Sequence, residues 1–92
     1  MGHRLSCQEI EEVLAGMPGI VEVAVRGVPD PVFGETVKAY IATASGQEIP
    51  LAEIQRFCKG RLADYAVPHH LTFLTELPHN DANKVLKNLL PS

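Results

Sequence analysis

The 92-residue sequence predicts an α+β domain, and three features carry the prediction. Two runs, 21–26 and 37–42, alternate apolar and other side chains with a period of two, as strands with one buried face do. Two further stretches repeat apolar residues at helical spacing. Clusters of Pro, Gly, Asn and Ser separate these segments. The expected architecture is a small antiparallel sheet of about three strands, packed with two to three helices.

The first helix carries its own start signal. Ser6 is placed to cap it, Glu9 three residues on completes a capping box, and Leu5 and Ile10 have the spacing of a hydrophobic staple. Ile10, Val13, Leu14 and Met17 then line one side, which leaves Glu11 and Glu12 toward water, and Pro18-Gly19 stops the helix. Glu9 and Glu11 do not make a catalytic pair, because Glu9 is committed to the cap and Glu11 lies on another face.

In the first strand Val21, Val23 and Val25 share a face. Gly27-Val28-Pro29-Asp30-Pro31 breaks it, and Gly34 marks a second tight place. Val37, Ala39 and Ile41 then face one way, with Lys38, Tyr40 and Ala42 facing the other, so the two runs are expected to pair antiparallel. After a polar loop at 45–48, Pro50 suits the first turn of a second helix. Leu51, Ile54, Phe57, Cys58 and Leu62 form its apolar side; Glu53, Arg56, Lys59 and Arg61 remain for solvent. Residues 64–68 read as an extended linker into His69-His70 and a third strand ending in Leu71-Thr72-Phe73-Leu74. Neighbouring histidines in a strand point to opposite faces, so they are poor partners for one metal ion and no metal site is expected.

Composition narrows the function. An apolar share of 46% with 21% charged residues describes a folded globular chain. Its length suits one domain with a modest core, too small to enclose a large active site. A net charge of -3 argues against nucleic acid as a partner. The charge is uneven: residues 1–55 hold three basic and eight acidic side chains, residues 56–92 five basic and three acidic. Cys7 and Cys58 are far apart and lack metal-ligand spacing, which fits two thiols in a reducing cytoplasm. No apolar run approaches the ~20 residues of a membrane span, and the N-terminus lacks a signal-peptide pattern, so a cytoplasmic location is expected.

The chemistry is concentrated in the stretch from Leu77 to Lys87. A strand-like run feeds the polar turn Pro78-His79-Asn80-Asp81-Ala82-Asn83, which ends in Lys84 and then apolar residues at helical spacing. A helix starting there would set backbone amides beside an ammonium group, a grip for a phosphate. Taken alone, these residues favour a solvated lysine on a C-terminal turn.

A family resemblance adds to that reading. The stretch resembles the C-terminal motif of the adenylate-forming superfamily, which comprises acyl-CoA synthetases, peptide-synthetase adenylation domains and luciferases. Leu77, Pro78, Lys84 and Val85 match; His79 keeps the basic position, while Asn80 stands for the usual threonine and Asn83 for the usual glycine. Gly2, Arg4 and Leu5 before Glu9-Ile10-Glu11 are similar to the hinge-side motif of the family. Gly27-Val28-Pro29-Asp30 with Gly34-Glu35 is similar to its Gly-Val-Pro-Asp segment, and Leu62 to Pro68 resembles its Leu-x-x-Tyr-Lys-Val-Pro run, with Ala66 for the lysine.

The resemblance implies that residues 1–92 are the single small C-terminal lid of a two-domain, AMP-forming ligase whose large N-terminal domain, with its hinge residue just before Gly2, is missing here. It implies an acid–thiol ligase of fatty acid metabolism, most like acyl-CoA synthetases and inactive as this fragment. Lys84 would serve carboxylate adenylation. Gly2, His3 and Arg4 would line the thiol's path, and Lys59 would touch CoA. ATP and Mg belong to the intact enzyme, with CoA or carrier-protein pantetheine as acceptor of the carboxylic acid, and nothing is expected to bind this fragment tightly. The alternative is a stand-alone, non-catalytic interaction module that keeps the lid fold; Asn80, Asn83 and Ala66 are the departures in its favour.

Overall fold

The computed structural model describes residues 6–32, 34–82 and 84–91. Helix α1 spans Cys7–Ala15, strand β1 Ile20–Asp30, strand β2 Gly34–Thr43, helix α2 Leu51–Cys58 and strand β3 Pro68–Phe73, with 3-10 turns at Asp64–Ala66 and Lys87–Leu89. The α+β class and the three strands agree with the sequence. Residues 64–66, read there as extended, coil into the first of the short turns, and buried Ala66 packs on the core.

Helix α1 begins as its sequence dictates: the Ser6 hydroxyl accepts the Glu9 N–H at 3.3 Å. It ends earlier than Pro18, at Gly16, whose N–H turns back onto the carbonyls of Val13 and Leu14. The staple residue Leu5 lies outside the described residues.

The sheet order is β1-β2-β3. Strands β1 and β2 pair antiparallel, but β3 runs parallel to β2, so the sheet is mixed and not wholly antiparallel. The cause is the connection. The chain leaves β2, crosses one face of the sheet as α2 and returns to the end from which β2 started, a path that needs a helix-length crossover. Strand β1 also outruns the predicted break, since Gly27, Val28, Pro29 and Asp30 stay paired with Val37, Thr36, Glu35 and Gly34. Proline is tolerated because β1 is an edge strand and Pro29 owes no donor on its open side. The reversal is made by Gly34, whose φ of +81° strains any other residue.

The sheet buries both faces. On one, α1, α2 and the chain just after each cover Val25, Val37, Ala39 and Ile41 with Ile10, Leu14, Met17, Ile54, Cys58 and Leu62. On the other, Ala24, Tyr40 and Ala42 lie beneath Leu77 and Leu90 of the C-terminal segment. Tyr40 and Ala42, expected only to oppose the core face, are therefore core residues of a second cluster. The valine alternation also breaks. The register shifts between Ile20 and Glu22, so Val21 is an extra residue on β1. This bulge lets Ile20 and Val23 both pack on the helical core and turns Val21 out to 64% exposure.

The second face closes on a polar network. The Tyr40 hydroxyl, on a residue with no exposed surface, donates to the Pro91 carbonyl at 2.6 Å. It accepts from Arg26 Nε at 3.1 Å and Nη2 at 2.8 Å. Arg26 also donates to the carbonyls of Lys87 and Pro91, and its guanidinium lies 5.1 Å from the Tyr40 ring centre.

Two measurements check this account. Tyr40→Phe removes one hydroxyl and strands donors and an acceptor around it, so urea unfolding should show a loss of about 1–3 kcal/mol. Burial pushes the Cys58 thiol above its ordinary value, against a weaker opposing pull from Arg61. Its stabilising contribution is full below the ordinary thiol range and declines as pH rises through it. Cys58 should therefore resist iodoacetamide in the folded chain and label on unfolding, as read by mass spectrometry.

Candidate functional site

The Lys84 segment is a small closed loop. Leu86 N–H donates to the Pro78 carbonyl at 2.9 Å, Asn80 N–H donates to the Lys84 carbonyl at 3.0 Å, and His79 bridges antiparallel to Val85. No helix starts at Lys84; the short turn begins only at Lys87. The predicted pairing of a helix terminus with the ammonium is therefore absent. A ladder takes its place, because Asn80 competes for the local amides: its Oδ1 accepts the N–H groups of both Ala82 and Lys84 at 2.9 Å. The asparagine thus does the turn's structural work itself. Asn83 lies outside the described residues.

Lys84 is exposed, and among the described residues its ammonium has no ion-pair partner. The main chain beneath it is fixed while the charge is free, which suits a cation that acts on something brought to it.

Three tethers hold the loop and the chain that follows it. Glu22 of β1 accepts the Leu77 N–H on Oε1 at 3.0 Å and meets His79 Nε2 with Oε2 at 3.0 Å. Lys87 donates to the Val25 carbonyl at 2.8 Å and pairs with Glu11 Oε2 at 2.8 Å, and the same oxygen accepts the Val25 N–H at 2.9 Å. Arg26 and Tyr40 hold the Pro91 carbonyl. Glu11 was expected to face water; it is turned instead onto the edge of β1, where it satisfies a strand amide that has no neighbouring strand. Sequence reasoning missed Glu11, Glu22, Arg26, Tyr40 and Lys87 as supports. The available signal was an arginine and a glutamate inside an otherwise apolar strand, each needing a partner.

The remaining candidates do not converge on Lys84. Lys59 is exposed at the end of α2, in a groove with Gln55, Arg56, Asp64 and His69 that Lys84 does not line. Gly2, His3 and Arg4 lie outside the described residues. His69 meets the Thr36 hydroxyl through Nδ1 at 2.9 Å, whereas His70 approaches Asp30 at 3.9 Å. Among the described residues no group of three His, Cys, Asp or Glu side chains could hold a metal ion, and no helix is long and apolar enough to cross a membrane.

With this geometry in place, similarity to known proteins is informative. The profile of the AMP-binding enzyme C-terminal domain matches residues 9–84, a span that ends on Lys84. The mitochondrial malonate–CoA ligase of Mus musculus is 40% identical over 99% of the chain, which covers 16% of that protein. The o-succinylbenzoate CoA synthetase from Bacillus subtilis, in complex with its acyl-adenylate intermediate, superposes with a TM-score of 0.87 at 33% identity, over 99% of this chain and 18% of that one. ATP-bound MatB from Rhodopseudomonas palustris gives 0.84 at 38% identity, over 96% and 18%. The chain thus spans less than a fifth of the length of these relatives.

Asn80→Ala should release the two amides that its side chain holds. Hydrogen exchange at Ala82 and Lys84 should speed up as the loop loses about 1 kcal/mol of local stability, while the main helices keep their protection.

Proposed function

Because this chain belongs to the AMP-binding enzyme C-terminal domain family, we propose that it is the lid of a two-domain, AMP-forming acyl-CoA synthetase and that Lys84 serves carboxylate adenylation. The missing partner is a large N-terminal domain, which would hold ATP and the carboxylic acid; fatty and other small carboxylic acids are the substrate class. The observation that carries the reading is the position of Lys84: an exposed ammonium, without an ion-pair partner among the described residues, at the end of the matched span on a loop whose backbone is hydrogen-bonded.

The reaction needs such a charge. A carboxylate oxygen attacks the α-phosphorus of ATP and pyrophosphate departs; a thiol then attacks the acyl adenylate carbonyl, and AMP departs. In the first step negative charge gathers on the phosphoryl oxygens between two anions, and a lysine already in place stabilises it without reorganisation. Removing one preorganised charge typically costs on the order of 10²-fold in rate. Mg accompanies ATP in this chemistry and would be bound with the nucleotide in the intact enzyme.

The second step takes CoA or a carrier-protein pantetheine as acceptor. Gly2, His3 and Arg4 would line its path, since glycine lets a thin chain pass close to backbone. Lys59, beside Arg56, offers positive charge to a CoA phosphate from the α2 groove. Two unbridged cysteines fit a reducing compartment such as the cytoplasm. A stand-alone module without chemistry gains little from its departures: Asn80 serves the turn, and Ala66 packs into the core.

In the full-length enzyme, Lys84→Ala should slow ATP–pyrophosphate exchange by about 10²-fold or more and leave thioester formation from supplied acyl adenylate nearly unchanged. Unaltered rates in both half-reactions would remove Lys84 from the mechanism.

A further inference from the structure

We propose that Glu22 is the positioning residue of the Lys84 loop, one carboxylate on β1 that fixes where the ammonium emerges. This rests on the reading that Lys84 serves adenylation, and it assigns a role to a strand residue far from it in sequence. The two carboxylate oxygens divide the work: Oε1 holds the buried Leu77 main chain at 3.0 Å and Oε2 holds the His79 ring at 3.0 Å. Both side chains are mostly covered, at 27% exposure for Glu22 and 21% for His79, so the contact is shielded more than a surface pair.

The geometry transmits the hold directly. His79 is the residue bridged to Val85, and Lys84 immediately precedes Val85 with its carbonyl bound to Asn80. A swing of His79 therefore shifts the ladder from which Lys84 projects. The tail beyond Lys84 has separate tethers, Lys87 to Glu11 and Arg26 with Tyr40 to Pro91. On the leg that leads into the loop, where Leu74 bonds to Ile41 and Leu77 is buried, Glu22 is the side chain that binds both Leu77 and His79. Strand alternation gives Glu22 its direction: it shares the face of Ala24, the face that Leu77 covers. The other charged groups near His79 are Glu11 and Glu12 of α1, which line the same groove with Gln8; Glu11 is occupied by Lys87, and Glu12 accepts from Gln8 at 3.5 Å. Neither replaces Glu22 at the Leu77 amide.

The test is a half-reaction comparison in the full-length enzyme, with Glu22→Ala, Glu22→Gln, His79→Ala, the Glu22→Ala/His79→Ala double variant and Lys84→Ala. Displacing a reacting group by about 1 Å costs up to about 10²-fold, so Glu22→Ala should slow ATP–pyrophosphate exchange by about tenfold to 10²-fold. Thioester formation from supplied acyl adenylate should hold its rate, which also reports an intact fold. Glu22→Gln keeps an acceptor for Leu77 and should recover much of the loss. The double variant should be no slower than Glu22→Ala, because His79 acts through the same contact. If Lys84→Ala abolishes exchange while Glu22→Ala leaves it at full rate, the positioning role is wrong and the Lys84 reading stands. An equal loss of both half-reactions in Glu22→Ala would mark a general structural residue and also overturn the proposal. If Lys84→Ala itself keeps full exchange, the underlying reading falls and takes this one with it.

Discussion

The structure depends on how its C-terminal segment is held against the second face of a three-stranded sheet. Among the described residues of 74–91 there is no α-helix and only one short ladder, so much of this segment's backbone has no partner of its own. They are organised from outside. Leu77 and Leu90 sink into a cluster around Tyr40, and the Tyr40 hydroxyl takes the Pro91 carbonyl while Arg26 supplies the hydroxyl with donors. A buried phenol is costly unless both its donor and acceptor capacity are used; here both are, and the segment provides the acceptor. Without the segment the sheet would expose an apolar face, and without the network the segment would have no fixed register.

Two glutamates complete the same design at the edge of β1. The net energy of a half-exposed ion pair is small, because Coulomb attraction is offset by desolvation and side-chain ordering. The value of Glu11 and Glu22 lies in direction. Each accepts a main-chain N–H and meets a lysine or imidazole of the C-terminal segment, so Glu11 ties that segment to α1 and β1, and Glu22 ties it to β1. Glu11 with Lys87 also occupies both the N–H and the carbonyl of Val25, groups that an edge strand would otherwise offer to another chain.

Much of this fold was legible in the sequence, and what was missed shares one cause. Local rules read correctly: the Ser6 cap, the antiparallel β1–β2 pair and the amphipathic side of α2 depend on neighbours a few residues away. The misreadings lie where distant residues decide. The direction of β3 follows from the length of its connection, the exposure of Val21 from a bulge, and the burial of Tyr40 from a segment some fifty residues downstream. Hydropathy suggested that Glu11 faces water, because periodicity knows nothing of an edge amide waiting at Val25. For the candidate site, Lys84 was visible as a lysine closing a turn, but its setting was misjudged: Asn80 prefers to bind nearby amides, and that local preference defeats the helix the apolar spacing suggested. Glu22 was invisible because its partners, Leu77 and His79, lie more than fifty positions away.

A lysine with the role proposed for Lys84, acting on a centre carried by another body, has conflicting needs. It must be uncommitted within its own domain, because an ion pair there would have to be broken at every turnover. It must also be placed accurately, since a long flexible side chain on a mobile backbone spreads its charge over many positions and gives up the advantage of preorganisation. The observed arrangement meets both needs by dividing them between backbone and side chain. Among the described residues the tethers fall on the main chain or on neighbours of Lys84, through Asn80 within the loop and Glu22, Glu11, Arg26 and Tyr40 outside it, and none falls on the ammonium. Hydrogen bonds reach the Lys84 main chain and, among the described residues, none reaches its ammonium, so the side chain keeps the freedom that would be lost when the charge is put to use.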